Sequence, residues 1–310
     1  MPGRTQRCAL PELPVSGTVE VKVADAMPSR RHKLVIPRIS GRLGIGLALI
    51  AALVMISALA PPLFGLDPYK MHPSGVLQAP SLRFPFGTDT YGRNVLSRVV
   101  FGLRTSLEVA AIVSVLTGGI GLIVAIGVVR VPLFGAIAMR VVDALMALPG
   151  VVLALALVTI IGPGFVEVVV VEFLFFVPWT IRVMRASTLA VEGMAYVEAA
   201  VSQGATEYSV VTRHILPNAA APMLVQQVLV FGYAILAEAV LSFLGVGIEA
   251  PAASLGNILS EAQPVMLQDP LFSVFPGALI AITVLAVNLA ADGVAEQLKV
   301  DRRAVGGHVR

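Results

Sequence analysis

Chemistry has few places to reside in a 310-residue chain that is only 13% charged. Six carboxylates fall within or at the edge of long apolar runs: Glu108, Asp143, Glu167, Glu172, Glu238 and Asp292. A carboxylate at mid-bilayer costs on the order of 2.5–3.5 kcal/mol on insertion scales, so these groups should avoid lipid and face another helix or a watery cavity. Asp143, near one end of its run, suits an anchoring hydrogen bond ahead of a place on a transport path. Glu238 lies deep in its run and either lines a pathway or bonds to another helix. Asn288, in the last run, suits a helix-to-helix hydrogen bond. At about 1.5 Å per residue, Glu172 sits near the middle of a hydrocarbon core about 30 Å thick, while Glu167 is only a turn inside and can reach interfacial water. Five residues apart, the two stand roughly 140° apart around a helix and need separate explanations. Glu172 is either a hydrogen-bonded side chain against a second subunit or a carboxylate facing a cavity, where it would favour a cationic group.

Other chemistry is missing. The chain has four lysines, Lys22, Lys33, Lys70 and Lys299, and none follows a glycine. No G-x-x-x-x-G-K-[ST] phosphate loop can be written, so the chain is not expected to hydrolyse ATP or to be an enzyme. The four histidines, His32, His72, His214 and His308, lie outside the apolar runs. That disfavours an intramembrane Ser/His hydrolase and a histidine proton relay. Cys8 is the single cysteine, so no disulfide or cysteine-based metal site forms within the chain. No catalytic residue, metal or cofactor is expected here. The net charge of +3 is small and the basic residues gather toward one end, so nucleic acid is not implied.

A polar island, about 182–217, separates two apolar runs and carries Glu198-Ala199-Ala200, Gly204 and His214-Ile215-Leu216-Pro217. Its first part favours helix up to Gln203, and Gly204 can take a positive φ without steric penalty. A second helix follows and meets Pro217, which should break or kink it as the next apolar run begins. The result is a short helix-turn-helix at the membrane surface, suited to receiving a push from a partner.

The elements that hold these residues are membrane helices. The chain is 57% apolar with a mean hydropathy of +0.88, whereas soluble domains run at about 45–50% apolar and about 25% charged. Six runs approach the length of about 20 residues that a spanning helix needs: 43–64, 105–129, 137–161, 164–181, 219–247 and 272–293. The third and fourth are separated by Gly162-Pro163-Gly164, a tight turn. Residues 1–42 lack an apolar period and read as a flexible tail. Residues 43–104 supply the first span and an outward segment that becomes a surface helix from Arg93, 105–297 a core of five spans, and 298–310 a second tail. Ala58-Leu59-Ala60 resembles a signal-peptide cleavage site, but the preceding tail is too long and Pro61 follows directly, so the first run reads as a retained anchor. Clusters such as Gly118-Gly119-Ile120-Gly121 read as sites of close helix packing.

At several of these places the sequence resembles a known family. Glu198-Ala199-Ala200, three residues, Gly204, nine further residues and a closing His214-Ile215-Leu216-Pro217 are similar to the cytoplasmic loop motif of permease subunits in bacterial binding-protein-dependent ABC importers. Phe86-Gly87-Thr88-Asp89 with Gly92-Arg93-Asn94-Val95-Leu96-Ser97-Arg98 resembles the second permease of the dipeptide/oligopeptide/nickel branch. So do Met139-Arg140-Val141-Val142-Asp143 with Pro149, and Leu236-Ala237-Glu238-Ala239 with Leu241-Ser242-Phe243-Leu244-Gly245. Asn288 matches as well. The resemblance covers roughly 43–297, with Asn94 where the family usually has Asp and Leu255 where it commonly has Trp. It implies an all-α, six-span permease of the type I ABC importer architecture in the bacterial inner membrane, paired with a second related permease, two ABC ATPase subunits that carry the ATP, and a periplasmic substrate-binding protein. It implies alternating access, with ATP binding transmitted through the loop around Glu198–Gly204, and peptide import, or that of nickel or another small solute. The resemblance neither supports nor explains Glu167 and Glu172. A carrier driven by an ion gradient is the alternative; it should show inverted repeats or paired broken helices, and no convincing internal repeat is present.

Basic residues set the orientation, because loops rich in Lys and Arg stay cytoplasmic. Of the 22 Lys and Arg, seventeen fall in the two tails, the turn after the second run and the polar island; the five on the other side are Lys70, Arg83, Arg93, Arg98 and Arg104. Both termini and the island are therefore expected in the cytoplasm. With Cys8 replaced, a membrane-impermeant thiol reagent applied from outside is expected to label Ser81→Cys and Ala252→Cys and to leave Ser202→Cys unmodified. External labelling at Ser202→Cys would overturn the arrangement.

Overall fold

The computed structural model describes residues 40–306. Expectations for Cys8, His32, His308 and residues 1–39 lie outside them. Among the described residues the fold is helical throughout, with isolated β-bridges at Met71–Arg93 and Thr88–Asn94 in place of strands. The helices are α1 (Gly41–Phe64), α2 (Val95–Arg130), α3 (Pro132–Met146), α4 (Gly150–Ile161), α5 (Phe165–Glu192), α6 (Ala195–Ser202), the single turn α7 (Glu207–Ser209), α8 (Leu216–Phe243), α9 (Leu255–Ala262) and α10 (Pro270–Gly306).

Four helices are long and apolar enough to cross a membrane: α1, α2, Glu207–Phe243 and Pro270–Leu298. The pair α3 and α4 makes a fifth if counted as one broken span. The fourth apolar run became α5, which carries Glu167, Glu172, Arg182 and Arg185 and is not among these four. The third run departs further from expectation. In place of one span over 137–161, the chain bends by 95° between α3 and α4. Pro149 is responsible: it lacks an N–H to continue the ladder, and its ring pushes Leu148 out of the helical region. The helix expected at the surface from Arg93 is the start of the 36-residue α2 itself.

Small residues let the helices approach closely. A side chain at Gly46 would run into the backbone of Ala286 and Ala290, and one at Gly293 into Leu43, so α1 lies directly on α10. Gly121 of α2 meets Thr180 of α5 in the same way. Between α2, α5, α8 and α10 lies a core that includes Val109, Val113, Val168, Phe176, Val230 and Ile235. Such contacts hold helices together in lipid, where no hydrophobic gradient separates core from surroundings.

The bundle is closed at one end by charge. Asp89 and Glu261 clasp Arg93 and Arg98. Arg93 donates from Nε to Asp89 Oδ2 at 2.6 Å and from Nη2 to Glu261 Oε2 at 2.7 Å. Arg98, the largest fully buried side chain, donates to Asp89 Oδ2 at 3.0 Å and to both oxygens of Glu261, reaching Oε1 at 2.9 Å. Asp89 Oδ1 accepts the backbone N–H groups of Tyr91 and Arg93, both at 2.8 Å. Gly92 shapes this loop: its φ of +71° is left-handed, and a Cβ there would collide with the His72 carbonyl. Asn94 caps α2 by accepting from the Leu96 N–H at 3.0 Å, a task that needs the side-chain oxygen and not the charge of an aspartate. Phe86 stacks on Phe275 with ring centroids 3.8 Å apart, joining the loop to α10.

Removing one partner from a buried ion cluster leaves uncompensated charge and costs about 3–5 kcal/mol, whereas exposed pairs contribute about 0–1 kcal/mol. Arg98→Ala is therefore expected to lower the thermal midpoint of the purified protein far more than Arg104→Ala, which breaks the exposed 2.8 Å pair with Glu108. Equal midpoints for the two variants would contradict this account of the capped end.

Candidate functional site

The polar island packs onto a buried apolar base. Val197, Val210, Ile215 and Ala219 are buried with Ala125 of α2 and with Met184 and Val191 of α5, which seats the loop on the helix ends. Arg130, at the end of α2, adds ion pairs to Glu192 at 3.2 Å and Glu207 at 3.9 Å. Above this base α6 presents Glu198 and Ala199 to solvent, with Ala200 half-buried. The end of α6 is closed by two crossing bonds, Ala205 N–H to Ala200 O at 3.1 Å and Gly204 N–H to Val201 O at 2.9 Å. This pairing requires a left-handed residue at the turn, and Gly204 supplies it with φ of +81°. Nothing lies near the space a Gly204 side chain would enter, so the constraint there is conformational, not steric.

The chain does not break at Pro217 as expected. Residues Val210–Ile215 form a π-helical turn that runs directly into α8, with Pro217 in its first turn. A proline ring crowds the carbonyl four residues earlier, and the wider turn before it relieves that crowding. The His214 carbonyl accepts from Asn218 Nδ2 at 2.7 Å, and Leu216 is half-buried beside it.

Within the spans the carboxylates are treated differently. Glu238 of α8 is fully buried and doubly satisfied: Ser106 Oγ of α2 donates to it at 2.6 Å and Ser242 Oγ at 2.7 Å. Through Ser106 it is bonded to another helix. Asp143 of α3 accepts from Arg182 Nη2 of α5 at 2.5 Å, an exposed pair that ties α3 to α5. Glu167 is half-buried and folds back over Gly164 in the first turn of α5, where a carboxylate complements the helix dipole. Asn288 is exposed on α10. Glu172 of α5 is 1% exposed, and neither of its oxygens has a hydrogen-bond partner. The structure thus brings Glu238 and Glu172 into one region of the bundle, and keeps both apart from Asp143, Asn288 and the loop.

Several residues in these sites had not been singled out. Ser242 stands four residues from Glu238 on the same helix face, a spacing that could have revealed it. Ser106 and Glu261 could not be found that way, because they lie 132 and 163 residues from the partners they meet.

Comparison with known proteins adds a second line. Residues 118–303 match the family described as binding-protein-dependent transport system inner membrane component. A peptide transport system permease protein of Brucella suis is 39% identical over 254 residues, covering 82% of this chain and 86% of its own. The dipeptide transport system permease protein DppC of Alkalihalophilus pseudofirmus is 33% identical over 258 residues, covering 82% and 84%. The crystal structure of an amino acid ABC transporter with histidines superposes with a TM-score of 0.53 at 18% identity, over 67% of this chain and 94% of that one. At that identity the likeness concerns the fold alone.

The two serine contacts make a test of Glu238. Glu238→Leu removes the shared acceptor and leaves buried hydroxyls unpaired, at a cost of about 1–3 kcal/mol, while Glu238→Gln keeps an acceptor oxygen and should lose less. Thermal unfolding of the purified variants is expected to rank wild type, Gln, Leu in falling stability. A Leu variant as stable as wild type would show that the serine contacts carry no weight.

Proposed function

This chain belongs to the family of binding-protein-dependent transport system inner membrane components, and from that premise we propose that it forms part of the translocation path of an ATP-driven importer of small peptides. The observation that carries the reading is the loop: a solvent-exposed helix tip, Glu198 to Gly204, closed by crossing hydrogen bonds and mounted on a buried base shared with α2 and α5. Such a tip can be moved by a partner and can pass the motion to the spans. The partners are a second related permease, two ABC ATPase subunits that bind and hydrolyse ATP, and a periplasmic substrate-binding protein. The loop and both termini face the cytoplasm, where the basic residues concentrate. Peptides are the cargo favoured by the relatives in Brucella suis and Alkalihalophilus pseudofirmus, whose names specify peptide and dipeptide transport. Family membership also favours this reading over a carrier driven by an ion gradient.

The test is uptake of a radiolabelled dipeptide by proteoliposomes holding the assembled transporter. Uptake is expected to require internal ATP and to survive collapse of the proton gradient by an ionophore; the reverse pattern would reject the proposal. In the same assay, left-handed strain of about 1–2 kcal/mol in Gly204→Val should reduce coupling by roughly five- to thirtyfold. Charge reversal in Glu198→Lys should act in the same direction. Both complexes are expected to assemble and to hydrolyse ATP while import falls. Normal import by an assembled Gly204→Val complex would remove the loop from the mechanism.

A further inference from the structure

The bend at Pro149 leaves a cavity of about 200 Å³ between α4, α5 and α8. Gly150 and Ala154 line it from α4, Glu172 and Phe175 from α5, and Ala237 and Leu241 from α8. Its walls are apolar, and Glu172 is the one charged residue among those that line it. The absence of a side chain at Gly150 is what admits the Phe175 ring, which rests where a Cβ would be.

Glu172 is exceptional among the carboxylates described above. Asp89 and Glu261 hold arginines, Asp143 holds Arg182, and Glu238 is bonded by two serines. Both oxygens of Glu172 are buried and unpartnered. No basic residue lines the cavity beside it. An unpaired buried acceptor costs free energy, and a burial of this kind persists where a ligand completes it.

We propose that Glu172 binds the cationic amino group of the transported solute, with the ammonium held between its carboxylate and the face of Phe175. Phe175 is three residues on, on the same face of α5, and an aromatic face attracts an ammonium. A cavity of about 200 Å³ falls below the roughly 300–1,000 Å³ of sites that enclose whole drug-sized ligands. It therefore takes one end of a solute, which suits a terminal ammonium. This deepens, and rests on, the reading of the chain as a path for peptides.

The test measures charge preference in the cavity without needing transport. In the assembled transporter with Cys8→Ser, Ala154→Cys places a reporter thiol on the cavity wall. It is treated with a cationic reagent, aminoethyl methanethiosulfonate, and an anionic one, sulfonatoethyl methanethiosulfonate, with rates normalised to those of a free thiol. The cationic reagent is expected to react on the order of tenfold faster, and Glu172→Gln is expected to bring the ratio close to one. A saturating dipeptide with a free amino terminus should slow the cationic labelling when Glu172 is present and much less with Gln. A ratio unchanged by Glu172→Gln would overturn the proposal, as would failure of the thiol to react at all. If the Gln complex does not assemble, the ratio in the Glu172 complex alone decides, and a value near one rejects the site. Cation preference in a complex that imports no peptide would reject the import reading and leave the cationic site standing.

Discussion

Two arginines clasped between two carboxylates fix one end of the molecule. Ions taken out of water are tolerated only when their hydrogen bonds are met nearly in full, and here Asp89, Arg93, Arg98 and Glu261 meet that demand together. The demand draws the loop before α2, the first turn of α2 and the helix α9 into a single arrangement. Ser106 lies eight residues along α2 from Arg98, about 12 Å away along the axis, and bonds Glu238 of α8. The rotation of α2 that buries Arg98 therefore also presents Ser106 to α8. One electrostatic closure thus fixes the register of the helices that surround the carboxylates in the spans.

The opposite end is organised on another principle. The island is held by apolar contacts and by the hydrogen bonds that finish α6, with its ion pairs at Arg130 partly exposed. Contacts of that kind resist displacement less sharply than a buried ion cluster. A π-helical turn at Val210–Ile215 adds a departure from regular helix where the loop joins α8. Buried charge thus holds the capped end, and apolar burial with partly exposed ion pairs holds the loop end.

Much of this was legible in the residues. Apolar runs gave the positions of α1, α2, α8 and α10, and Gly204 announced its own left-handed turn because no other residue type takes that conformation as readily. The bend between α3 and α4 was obscured because hydropathy does not register direction: the run 137–161 is apolar on both sides of Pro149, and only the geometry of the proline reveals the 95° turn. The sequence places Arg93 and Arg98 on the outward side but does not show that both are buried, because the carboxylate that completes their site, Glu261, is far along the chain. Local patterns carry helix ends and same-face pairs such as Glu238 and Ser242; they carry nothing about pairings across the fold. Leu255 illustrates the same limit. An aliphatic stands where the family commonly has Trp, and it is fully buried in the core beside Ile258.

The broken third span and the unpaired Glu172 belong together. A continuous helix through residues 147–149 would carry α4 along the line of α3 and away from the space it now borders beside α5 and α8. Turned by 95°, α4 forms one wall of a cavity whose other walls are α5 and α8. Asp89, Glu261 and Glu238 are matched to arginines or serines, so the sequence can satisfy a buried carboxylate when doing so serves the structure. At Glu172 it does not, although Glu238 is satisfied by one hydroxyl from a neighbouring helix and one from its own. The bend supplies the room and the carboxylate the unmet bond. A carboxylate left without a partner beside that room is what the proposed ammonium site would complete.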